Sequence, residues 1–123
     1  GGTAGFISSC PFYRDRASLF FKGVVIVRHM VFMKLAPGRF DERAERDYVE
    51  TFGELRRALP GDILSCRVLR NSVERAQNMD VLIEMTLAGP ESLPRYLSHP
   101  LHRSIGERYA ADIVSLASFD CEE

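Results

Sequence analysis

The sequence predicts an α+β fold, a four-stranded antiparallel sheet with helices on one face. Three observations carry that expectation. Four stretches are dense in β-branched or alternating apolar residues, and two further stretches between them repeat apolar residues at three- and four-residue steps. Turns rich in Pro, Gly or Asn separate them. The chain has 123 residues, 46% hydrophobic and 27% charged, which suits one globular domain and not a disordered or fibrous chain.

The first strand is expected over residues 24–35, closed by Ala36-Pro37-Gly38. Alternation puts Val27, His29, Val31, Met33 and Leu35 on one face and Arg28, Met30, Phe32 and Lys34 on the other. Both faces are partly apolar, so a second layer must cover the side that the helices leave bare. Asp41 then reads as the N-cap of a helix whose apolar row is Phe40, Ala44, Tyr48, Phe52, Leu55 and Leu59, stopped by Pro60-Gly61. Its arginines, Arg43, Arg46, Arg56 and Arg57, fall on the solvent side, where Glu42, Asp47, Glu50 and Glu54 stand at pairing distance along the helix.

Residues 63–71 and 79–87 form the next two strands, joined by a polar loop that implies antiparallel pairing. A helix follows Ala88-Gly89-Pro90-Glu91, with Leu93, Leu97, Ile105 and Tyr109 on its apolar side, and Pro100 divides it in two. The last strand, 113–121, sets Ile113, Ser115, Ala117, Phe119 and Cys121 against Val114, Leu116, Ser118 and Asp120. The order strand, helix, strand, strand, helix, strand is that of a ferredoxin-like βαββαβ domain. One sheet face stays bare, and its apolar residues imply a homodimer.

Residues 1–22 read differently. Arg14, Arg16 and Lys22 against Asp15 make them net positive in a chain of net charge -1. We expect an N-terminal extension here, a tag remnant or a segment translated from upstream, with the domain proper at 23–123. Phe12, Tyr13, Leu19, Phe20 and Phe21 give the extension apolar surface.

The near-zero charge removes the whole-surface attraction that non-specific nucleic-acid binding needs. No apolar run approaches the ~20 residues of a membrane helix, and no secretory leader is recognised, so neither nucleic acid nor membrane is expected as partner. Cys10, Cys66 and Cys121 are odd in number and lack zinc-ligand spacing, which favours a reducing, cytoplasmic setting and no metal. Cys66 and Cys121 are expected to be small buried strand residues. No glycine-rich phosphate loop, zinc-protease motif or paired carboxylates stand out, and no cofactor is expected.

Three segments carry a family resemblance: VRHMVFMKL at 27–35, Leu59-Pro60-Gly61, and ESLPRYLSHPLH at 91–102. On these the chain resembles the stress-responsive α/β-barrel (Dabb) domain family of the dimeric α+β barrel superfamily. The resemblance implies a homodimer whose sheets pack face to face into a barrel. It also implies a site. In plant polyketide cyclases sharing these elements, the tyrosine matching Tyr96 and the histidine matching His102 carry an intramolecular aldol closure.

Chemically, an imidazole with an ordinary pKa near ~6.5 can remove a proton activated by carbonyl groups. A phenol can donate a hydrogen bond to the resulting enolate. His102 and Tyr96 are thus the candidate catalytic pair, with His29 approaching from the sheet and His99 as a further ligand-binding candidate. Plainer roles stand beside these: a satisfied buried histidine for His29, a turn residue for His99, core packing for Tyr96. The functions expected are binding of a small apolar or aromatic carbonyl compound, or cofactor-free cyclase-like or isomerase-like catalysis on it. A stress-associated interaction dimer and a cofactor-independent monooxygenase are the further alternatives.

Overall fold

Strand β1, Val27–Leu35, holds the centre of the fold, as its β-branched and aromatic composition favours. The structure, a computed structural model, describes residues 25–123. The expected extension at 1–22 lies outside the described residues. On one side β1 pairs with β3, Val81–Leu87, and on the other with β4, Ile113–Glu122, while β2, Ile63–Arg70, pairs with the far side of β3. Every pairing is antiparallel and the order is β2-β3-β1-β4. Helix α1, Glu42–Ala58, joins β1 to β2; α2, Ser92–Ser98, and α3, Pro100–Tyr109, join β3 to β4 through a short 3-10 turn, Ala110–Asp112. This is the ferredoxin-like βαββαβ arrangement, its second helix divided.

Local chemistry sets the helix ends. The Asp41 carboxylate accepts from the Ala44 amide at 2.9 Å and starts α1. Pro100 forces His99 into an extended conformation, with ψ at 136°, and takes the first turn of α3, where its missing N–H costs nothing. Val27, Met33 and Leu35 of β1 and Val81, Ile83, Met85 and Leu87 of β3 pack with residues of all three helices in one core. Both helical connections therefore cover the same sheet face.

Three details differ from the sequence reading. Leu97 is 47% exposed; Ser92 and Tyr96, one turn apart on the short α2, face inward instead. On α1 the charged side chains reach across elements: Asp47 pairs with Arg108 of α3, and Glu45 with Arg70 of β2. Cys66 and Cys121 are half-buried because each sits on an edge strand.

In β4 the register slips, Lys34 facing Ser115 and Leu35 facing Ile113. Val114 is the extra residue of this bulge, and it turns both Ile113 and Leu116 to the helix side, where strict alternation would separate them. The opposite sheet face carries Met30, Phe32, Leu82 and an exposed Phe119, crossed by the Arg28–Glu84–Arg67 ion pairs. Among the described residues no helix is long and apolar enough to cross a membrane.

Asp62, 8% exposed, ties α2 to the start of β2 by accepting from Ser92 Oγ at 2.8 Å and from the Arg95 guanidinium at 2.8 and 3.0 Å. The bonds from Arg95 first, then Ser92, hold its carboxyl below the usual range. Asp62→Ala leaves the buried Ser92 hydroxyl without its acceptor and should cost about 1–3 kcal/mol in urea unfolding. Because the folded-state pKa is the lower one, the carboxylate stabilises the fold above its unfolded value of ~3.9 and the contribution is lost as pH falls through the folded value. The gap between parent and variant should therefore shrink in acid, and a gap independent of pH would contradict this role.

Candidate active site

Four side chains from four elements converge. Tyr96 of α2 is 2% exposed, and its ring meets His29 of β1 and His102 of α3 edge-on, at centroid distances of 5.2 and 4.6 Å. His29 is itself 3% exposed, and its Nδ1 donates to the carboxylate of Asp120 on β4. The β1–β4 register makes this contact, since His29 and Asp120 are directly opposed.

Of the four candidates named from sequence, three stand together. His99 takes another place: its Nδ1 accepts from the Leu101 amide at 3.1 Å and caps α3. Asp120 was not among the candidates. The visible signal is a pair of acidic residues, Asp120 and Glu122, at the end of an otherwise uncharged strand, and only the register of β4 gives Asp120 a histidine to face.

Beside Tyr96 and His102 a cavity of about 90 Å³ opens between helices and sheet. Val31 and Met33 form part of its floor; Phe52, Ile105, Ile113 and Leu116 are among its apolar walls. His29 and His99 do not line it. His29 backs Tyr96 from behind. Tyr48 and Tyr109 close one side, their rings stacked at 4.2 Å, and the Tyr109 hydroxyl is held by Asp47 and Thr51 at 2.6 and 3.0 Å.

The family model of the stress-responsive A/B barrel domain matches residues 27–123. This chain belongs to the Dabb family. No curated protein matches it in sequence. A dimeric ferredoxin-like protein of unknown function from Bacteroides fragilis is 23% identical and has a TM-score of 0.60, the match covering 80% of this chain and 96% of that one. A Dabb-family protein from Mesorhizobium loti is 20% identical with a TM-score of 0.64, over 79% and 95% of the two chains. A hydroxynitrile lyase from Passiflora edulis is 14% identical with a TM-score of 0.67, over 80% and 93%. At these identities the likeness is one of fold.

In this Dabb-family site, burial sets the protonation states. It lowers the His102 pKa by disfavouring the imidazolium; a hydrogen bond with the Leu97 backbone acts the other way, and nearby His29 lowers it further. Burial also raises the Tyr96 phenol above its ordinary value of 10.0, with Cys66 and Asp120 adding to the rise. At neutral pH the site thus holds a neutral imidazole beside a protonated phenol. Among the described residues no group of three or more His, Cys, Asp or Glu is placed to hold a metal ion.

The His102 ring signal in an NMR titration should have its midpoint below the ordinary 6.5. A midpoint at or above that value would mean that the ring is more solvated than its place in the Dabb core requires. Since folding lowers this pKa, the unfolded chain binds more protons just below 6.5, and stability should rise with pH through that window.

Proposed function

We propose that this chain, as a homodimeric α+β barrel, binds a small, largely apolar carbonyl compound in the cavity beside Tyr96 and His102. The observation that carries the reading is the Tyr96 ring set between two imidazoles at the wall of an otherwise apolar cavity. A carbonyl oxygen lodged there has the Tyr96 hydroxyl as a hydrogen-bond donor, and its substituents have hydrocarbon walls. The volume favours a compact ligand, because a cavity of roughly 150 Å³ is what takes up benzene.

A second reading adds catalysis, and the edge-on contact of the His102 and Tyr96 rings at the cavity wall favours it, because it sets a base and a hydrogen-bond donor side by side. A neutral His102 can take a proton from the carbon next to the carbonyl. The bonding pair left on that carbon delocalises into the carbonyl, and the Tyr96 O–H donates to the enolate oxygen. The enolate can then be reprotonated elsewhere or add to a second carbonyl carbon, giving isomerisation or aldol closure without a redox step. The Passiflora edulis hydroxynitrile lyase is similar in fold alone and assigns no substrate here.

For a binder, Tyr96→Phe and His102→Ala should weaken butanone or acetylacetone binding, read by NMR shift titration. For an enzyme, the same substitutions should cut enolisation, read by deuterium exchange of the ketone, by about a hundredfold or more. Retention of both binding and exchange in both folded variants would sink the site.

The homodimer rests on the apolar sheet face and on the dimeric state of several similar structures. Phe32→Glu on that face should turn a dimer into a monomer by light scattering. A parent chain that is already a stable monomer at micromolar concentration would overturn the barrel.

A further inference from the structure

We propose that ligands enter the cavity between α3 and β4 past Gly106, and that the absence of a side chain at this glycine keeps the way to His102 and Tyr96 open to small ligands. The proposal rests on the carbonyl-binding reading and adds the entrance and its selectivity. Gly106 lies four residues after His102 and three before Tyr109, so the three share one face of α3. All three line the cavity. Gly106 is nevertheless exposed, and across from it Leu116 of β4 also lines the cavity while 54% exposed. Residues that belong at once to the cavity wall and to the outer surface mark its opening.

Nothing else in the described residues requires glycine at this position. Its backbone is not in the left-handed region, which among the described glycines only Gly38 adopts. A Cβ built on Gly106 meets no atom within 4 Å. Mid-helix glycine weakens α3, since only proline is a poorer helix former. What the missing side chain leaves is open space at the cavity mouth. In a helix the Cα–Cβ bond tilts toward the N-terminus, so any side chain at 106 grows toward His102, across the opening.

The bulge at Val114 supplies the other jamb, by turning Ile113 and Leu116 to the same side. The ligand class that follows is a ketone or aldehyde with slender, unbranched apolar substituents. Aryl groups and branched chains are disfavoured by the cavity behind the opening, whose volume of about 90 Å³ is below the roughly 150 Å³ that takes up benzene.

Xenon NMR of the full chain tests the entrance, because xenon enters small apolar cavities without needing a carbonyl. The parent should bind xenon in fast exchange, Leu116→Ala should exchange it faster, and Gly106→Leu should slow exchange by about tenfold or abolish uptake. Gly106→Ala should raise the Tm, which verifies that the helix tolerates a side chain there, while slowing exchange less than leucine does. Equal exchange in the parent and in folded Gly106→Leu, or no xenon uptake by the parent, would overturn the entrance.

A second arm adds butanone and acetophenone and follows the His102 ring signal. A response to butanone and not to acetophenone supports the size limit, and an equal response to both overturns it. If xenon exchange is gated as expected and neither ketone moves the signal, the carbonyl reading fails and the entrance stands.

Discussion

A histidine in the middle of the central strand has to be satisfied, and the site grows from that requirement. His29 is 3% exposed on the helix-covered side of β1, where its row neighbours are Val27, Val31, Met33 and Leu35. Leaving an imidazole N–H unpaired in such a place costs on the order of 1–3 kcal/mol. Asp120 meets the requirement from the adjacent strand. That contact sets the register of β4 against β1 in chemical terms, and the same register delivers Leu116 and Ile113 to the cavity.

The second constraint is the break between α2 and α3. A continuous helix from residue 92 to 109 would carry Tyr96 and His102 on different faces, six residues apart. Pro100 ends α2, His99 caps the next helix, and the chain turns so that both rings meet with centroids 4.6 Å apart. His99 thus supports the site from the turn. The Asp62 tether to Ser92 and Arg95 fixes the other end of α2, so Tyr96 sits on a segment held at both ends.

The two sheet faces divide the work. One side carries the core and the cavity. The other, with Met30, Phe32, Leu82 and Phe119 around the Arg28–Glu84–Arg67 ion pairs, is too apolar for a face left to water and fits a second copy. The polar stripe within it gives such a pairing a preferred register, because a buried charge out of alignment is costly.

Much of this was legible in the chain itself. Period-two and period-3.6 patterns are local, so strands, helices, the Asp41 cap and the Pro100 break could be read residue by residue, and the motif around Tyr96 and His102 pointed to the site. The α1 charges and Asp120 could not be read that way, because their partners lie across element boundaries, and the exposure of Leu97 follows from how the short α2 docks. Sequence by itself determined which elements form and which face of β1 is apolar, since both depend on neighbours within a few residues. Only the tertiary structure decided that Asp120 faces His29, that a bulge turns Ile113 and Leu116 inward together, and that Gly106 stands at an opening. Each of those depends on the register between segments some 70 to 90 residues apart or on the docking of one element against another, and short-range periodicity carries no information about either.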